Sequence, residues 1–245
     1  MSLALQSLSS SEGSVLQVGR LWHRNIALPS ATVTALRALR QEIGANLSWV
    51  FIASLALYAY RITGNSDIVL SLPVLNRYTE PALLTPGLKV NVAPLRVKVR
   101  PDLNMRALTA QVSQELKSIQ EHGRFEGEEI SRCLGWPSGG RKSFGPVINI
   151  IPYDRNEAFA CHPIALKHLS VRPIEDFSIT VHAGRGGGEM AVDFEASTAL
   201  YQYAEVAEHE RRLVRVLEQV AADPLVTGGR VDVLATAERR ALLNE

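Results

Sequence analysis

The longest apolar stretch in this 245-residue chain, Leu47 to Tyr60, does most to limit how the chain can fold. It falls short of the roughly 20 residues that a membrane-spanning helix needs, and Ser48 and Ser54 interrupt it. Extended to Ile62, it reads as a helix that is apolar nearly all round. Such a helix is stable in water only when other elements cover it, so it should be the buried helix of the fold. The length allows one large or two modest domains around that core. With 46% apolar and 21% charged residues and a net charge of +1, the composition is that of an ordinary globular protein. The near-neutral balance supplies no basic face for nucleic acid. The two cysteines, Cys133 and Cys161, form no CxxC pair, so neither a disulfide framework nor a zinc site is expected, and a reducing cytoplasm is the default.

Around this helix the chain alternates helices and strands, which gives an α/β or α+β class. Val33, Leu36, Leu39 and Ile43 share one face of a helix over 31–43, closed by Gly44. A buried strand is read at 67–74. An amphipathic helix carrying Leu108, Val112, Leu116 and Ile119 runs over 104–121, capped by Asp102 or Asn104. A shorter helix is read over 126–134, and 136–143 reads as a surface loop. Strands follow near 147–151, 177–181 and 190–194, then a long helix over 203–222. The glycine run 184–188 lies between two alternating strands with no helix after it, so it reads as a hairpin loop rather than a phosphate cradle. Glu205 and His209 share a helix face at a spacing of four, which is read as solvated rather than as a zinc site.

The most unusual segment is Thr85-Pro86-Gly87-Leu88-Lys89-Val90-Asn91-Val92-Ala93-Pro94-Leu95-Arg96-Val97, a strand that carries one polar Asn among apolar residues. Val90 and Val92 point one way and Asn91 the other. Leu95, Val97 and Val99 are read in the opposite phase, with Pro94 at a bulge or an edge that resets the register. In the later strand Phe177, Ile179 and Val181 alternate with Asp176, Ser178, Thr180 and His182. That polar side either faces solvent or lines a channel. Asp176 can alternatively pair with Arg172 or Arg77, and Asn149 can simply be a buried amide meeting its hydrogen-bonding obligation. No GxSxG elbow or paired-carboxylate arrangement is visible.

The Asn91 segment resembles the GxFVNTLPLR motif of condensation domains of nonribosomal peptide synthetases. Thr85, Pro86, Gly87, Asn91, Pro94, Leu95 and Arg96 match, whereas Lys89 and Ala93 depart. Ser71 to Arg77 resembles the family's GTPVSGR loop, and Glu121 to Glu128 is loosely similar to its HQDVPFE stretch. Phe144 to Ile150 and Arg172 to Ile179 resemble FGPVVNV and GPVEDLSI. Glu238 to Leu243 resembles the exit linker LLTxxERxxLL. The family's catalytic signature, HHxxxDG, does not occur: no two histidines are adjacent.

The resemblance implies a chloramphenicol acetyltransferase-like fold of two lobes with a tunnel between them, of which this chain would be the C-terminal lobe, an open mixed sheet flanked by helices. Residues 1–16 would be a flexible lead-in, with Met1-Ser2-Leu3 a cloning remnant, 17–222 the lobe and 223–245 a linker toward an adenylation domain. The implied reaction is amide formation between thioesters on two peptidyl carrier proteins. The lobe would be inactive alone, with no catalytic residue in this chain. Asn91, Asn149, Asp176 and Ser178 would face the tunnel, and Asn91→Ala would slow condensation while sparing the fold. No cofactor or metal would be bound directly, because phosphopantetheine belongs to the carriers. The implied partners are the N-terminal lobe, the carriers and the adenylation domain, with self-association through the uncovered lobe face and no nucleic acid or membrane. A non-catalytic carrier-docking module and a lobe of a related acyltransferase, epimerisation or cyclisation domain remain open alternatives.

Overall fold

A computed structural model describes residues 21–75, 77, 81, 84–87, 89–123, 125–136, 143–152, 158–159, 162–163, 174–183, 189–235 and 238–240. The lead-in and the glycine run 184–188 lie outside these residues. The elements follow in the order β1 (Leu21–Ala27), α1 (Ser30–Ile43), α2 (Leu47–Thr63), β2 (Asp67–Leu75), β3 (Val90–Lys98), α3 (Met105–His122), α4 (Gly127–Cys133), β4 (Val147–Ile151), β5 (Ala158–Phe159), β6 (His162–Pro163), β7 (Phe177–His182), β8 (Ala191–Ser197) and α5 (Tyr203–Ala222). Six strands form one mixed sheet in the order β1-β8-β7-β4-β2-β3, while β5 and β6 pair separately. Strand β4 runs parallel to β7 and β2, and the other neighbours are antiparallel.

Helix α2 is buried as its composition demands, with every residue from Val50 to Ala59 inside. Asn46 caps its start by accepting from the Ser48 N–H at 3.1 Å. It packs among α1, α3, α5 and β2, and so fills the middle of the helix layer. The core lies between that layer and one face of the sheet, where Ile68, Leu70, Leu95, Val97, Ile148, Phe177, Ile179, Val181, Val192 and Phe194 meet the helices. Gly44 ends α1 at φ 67°, in the left-handed region where glycine carries no side-chain penalty. Of the two caps proposed for α3, Asn104 is the one used, accepting from the Ala107 N–H at 3.1 Å.

Three readings change. Strand β3 has no register reset: its pairing with β2 runs unbroken from Asp67↔Lys98 to Leu75↔Val90. Asn91, Ala93, Leu95 and Val97 all share the buried side, and Val90 and Val92 lie on the other, so the sequence shows two faces of one strand rather than two phases. Pro94 is tolerated because β3 is an edge strand. His209, read as solvated, is 3% exposed because α5 turns that face inward. Strand β1, absent from the sequence reading, forms the other edge. Its mixed pattern, Leu-Trp-His-Arg-Asn-Ile-Ala, hides its apolar side because Arg24 stands on the helix face, ion-paired to Glu210 of α5 at 2.5 Å.

The segment after α5 packs closely against the domain. Gln219 exchanges two hydrogen bonds with the Asp232 backbone, at 2.6 and 2.9 Å, while Val231 and Val233 are buried. The Gly228 and Gly229 N–H groups donate to Leu103 and Pro101 carbonyls. Arg212 reaches Glu238 at 3.3 Å.

Candidate functional site

The sheet has a second face on which no described helix packs, and pairing register decides which residues stand there. Ser178, Thr180 and His182 of β7 alternate with its core residues. In register beside them stand Val147, Asn149 and Ile151 of β4 on one side and Glu195, Asp193 and Ala191 of β8 on the other. His23 and Asn25 of β1 continue the rows of Glu195 and Asp193.

One cluster on this face was not legible as a unit, because its members come from three strands. Asp193 accepts from Asn25 at 2.6 Å and contacts the Nε2 atoms of His182 at 2.6 Å and His23 at 3.1 Å. Burial pushes the Asp193 carboxyl upward, but the bonds from His182, Asn25 and His23 outweigh it and hold the group well below the usual carboxylate range. A lone Asp within an alternating strand is a weak signal; only the pairing of β1, β8 and β7 assembles the group. Nδ1 of His182 is sealed from solvent without a hydrogen-bond partner among the described residues. No group of three or more His, Cys, Asp or Glu among the described residues is arranged to hold a metal.

The four residues picked from sequence fall into three places. Asn149 and Ser178 share the helix-free face, with Thr180 directly beside Asn149. Asn149 is half-buried, so the reading of it as an enclosed amide does not apply. Asp176, 4% exposed, accepts from the Tyr201 hydroxyl at 2.7 Å, and the Tyr201 ring packs on Phe177 and His209. Asn91 stands on the opposite, helix side, at the end of β3. Its Nδ2 donates to the Phe125 carbonyl at 2.8 Å, and its Oδ1 accepts from the Gly127 and Val92 N–H groups, both at 2.9 Å. It therefore braces the start of α4 against the sheet edge. Gly127 is required there because a Cβ would lie 2.7 Å from the Val92 carbonyl oxygen.

Inside the helix layer the Tyr58 hydroxyl meets Nδ1 of His209 at 2.7 Å. Burial, helped by the nearby Arg212 charge, lowers the His209 pKa to about 4, and burial raises that of Tyr58. This pair is part of the core and lies on the other side of the sheet from Asn149 and Ser178.

The sequence model described as "Condensation domain" matches residues 20–243. The chain belongs to the condensation-domain family. Among curated relatives, an isonitrile lipopeptide synthase of Streptomyces coeruleorubidus is 34% identical over 206 residues, covering 84% of this chain and 14% of that protein. A dimodular nonribosomal peptide synthase of Bacillus subtilis (strain 168) is 29% identical over 218 residues, covering 89% of this chain and 9% of that protein. The first condensation domain of the calcium-dependent antibiotic synthetase superposes with a TM-score of 0.79 at 32% identity, over 94% of this chain and 50% of that one. The starter condensation domain of rhizomide synthetase gives 0.70 at 31%, over 89% and 49%. This condensation-domain chain thus spans about half the length of the solved domains and a small part of the curated relatives. Its open mixed sheet flanked by helices is the fold expected of the family's chloramphenicol acetyltransferase-like architecture.

Proposed function

We propose that this chain is the C-terminal half of a condensation domain and that, joined to the half carrying HHxxxDG, it takes part in forming an amide bond between thioesters on two peptidyl carrier proteins. The observation that carries the reading is the family match over 20–243 by a chain that spans half of the solved domains and has no adjacent histidine pair. In this reading the chain supplies a wall and docking surfaces, and the general base or orienting group stands on the other half. Proximity catalysis needs both halves to hold the reactants, so the fragment alone is inactive. Asn149 and Ser178 belong to that wall. Asn91 and Asp176 support it through their bonds to the Phe125–Gly127 backbone and to Tyr201. Phosphopantetheine arrives on the carriers, an adenylation domain follows the packed C-terminal segment, and the assembly works in the cytoplasm. No single described helix is long and apolar enough to cross a membrane.

The test is reconstitution with two loaded carriers. The chain alone should give no amide product, and the chain joined to a half bearing HHxxxDG should give one. Turnover by the chain alone overturns the reading. Carrier binding by the joined protein without product would instead mark a docking module.

A further inference from the structure

The segment that follows α5 is held to the domain by two kinds of contact, and they divide it at Leu234. Up to Val233 the contacts are backbone hydrogen bonds and burial. Thr227 bridges to Asn104, the Gly228 and Gly229 N–H groups donate to the Leu103 and Pro101 carbonyls at 2.8 and 2.9 Å, and the Gln219 carboxamide clasps both backbone groups of Asp232. Val231 is 0% exposed, and a Cβ on Gly228 would stand 3.0 Å from Leu57 and 3.2 Å from the Arg100 carbonyl oxygen, so this part lies flush on the helix layer. Beyond Leu234 the contacts are ionic: Arg212 to Glu238 at 3.3 Å, and the more exposed pair Arg239 to Asp232 at 2.9 Å.

Two features make the second part separable. Residues 235–239 form a helical turn closed by its own bonds, because Oε2 of Glu238 accepts from the Ala235 N–H at 2.7 Å and the Arg239 N–H donates to the Ala235 carbonyl at 2.9 Å. It is Oε1 of Glu238 that reaches Arg212, so the turn can leave without losing either bond. The other feature is Arg212 itself, which is 8% exposed. Taking the partner from so enclosed a charge is normally costly, because the charge is left uncompensated. Here the same Nη2 atom also lies 3.2 Å from Glu208, one turn earlier on α5, so compensation persists when Glu238 departs.

We propose that residues 235–240 are a releasable strap with Arg212 as its switch: the guanidinium holds Glu238 when the strap is docked and rests on Glu208 when it is released, while 227–233 stays fixed in both states. Whatever follows the strap then changes direction relative to the domain about a joint at Leu234, without disturbing the core. Release itself rests on no reading of activity. Only its use, to free the orientation of an adenylation domain downstream, rests on the condensation-domain reading.

The test uses the 245-residue chain with both cysteines replaced by serine and nitroxide labels on cysteines introduced at the exposed positions Glu218 and Arg240. Their separation is read by pulsed electron paramagnetic resonance. A second label pair, at Glu218 and Arg230, reports on the fixed part. The first pair should give a docked and a released distance, and the second pair a single distance. Raising sodium chloride from about 0.05 M to about 1 M screens the charges and should enlarge the released fraction about threefold or more. Glu238→Gln should do the same at low salt. Glu208→Gln should act in the opposite sense, lowering the released fraction about threefold or more, since release would then strand the Arg212 charge. General packing of the strap would not give opposite signs for the two carboxylates. Should Glu208→Gln unfold, the salt series and Glu238→Gln decide. One distance at every salt concentration, carboxylate variants that shift the fraction in the same direction, or a second pair that splits with the first overturns the proposal. Product from the joined domain with no released state sinks this proposal alone, and a released state without product sinks the condensation reading alone.

Discussion

Strand β7 has two sides with opposite fates. Phe177, Ile179 and Val181 face the helices, each 1% exposed, and the aromatic rings of Phe177, Phe194, Tyr201 and His209 meet edge to face beside them. Ser178, Thr180 and His182 face the side without described helices. On the helix side Tyr58 answers His209 and Tyr201 answers Asp176, whereas the buried Ser54 hydroxyl has no hydrogen-bond partner among the described residues. The difference separates residues that hold the fold from residues available to something else.

Substitution on the two sides should break or sharpen that division. The largest effect belongs to the helix side: Ile179→Ala should cost about 2–5 kcal/mol in chemical denaturation, through lost burial and a residual cavity. Next comes Tyr58→Phe, which leaves Nδ1 of His209 buried without its Tyr58 hydrogen bond and should cost about 1–3 kcal/mol. Asn91→Ala should cost a similar amount, because three backbone contacts depend on its carboxamide, and should speed amide exchange around Phe125 to Gly127. The bonds thus predict a structural penalty where the sequence alone suggested a spared fold. Smaller still, Ser54→Ala should raise stability by up to about 1 kcal/mol, since the Ser54 hydroxyl is buried without a hydrogen-bond partner among the described residues. Thr180→Val should leave stability within about 0.5 kcal/mol. A large loss there would show that the helix-free face also holds the fold, and the division would fail.

Acid should also treat the two sides differently. His209 has a folded pKa of about 4 against an ordinary 6.5, so the unfolded chain takes up its proton first. Its neutral state contributes fully above about pH 6.5, and that contribution is lost as pH falls toward 4. Asp193 on the other side is held low by its neighbours, so its contribution persists through that window and fades only below the usual carboxylate range. Urea midpoints measured from pH 7 to 4 should therefore fall, and His209→Gln should flatten that fall while Asp193→Asn should not.

Much of the fold was legible because local rules sufficed. The apolar run of α2, the stripe of α1 with Gly44 after it, the Asn104 cap and the alternation in β7 are each written in neighbouring residues, and each is found where the pattern puts it. The family was legible for a related reason: its motifs are short runs that keep their spacing along the chain.

The sequence by itself determined the class of fold, the buried helix and the family, because periodicity, caps and motifs act over a few residues. Tertiary structure alone decided which polar residues share a site. Asn91 and Asn149 look alike in sequence, each an amide in an apolar strand, yet strand order and register put one against the α4 backbone and the other beside Thr180 on the helix-free face. The same pairing joined His23, Asn25, His182 and Asp193, up to 170 positions apart. Contacts of that range depend on how strands are ordered in the sheet, and no local pattern encodes that order.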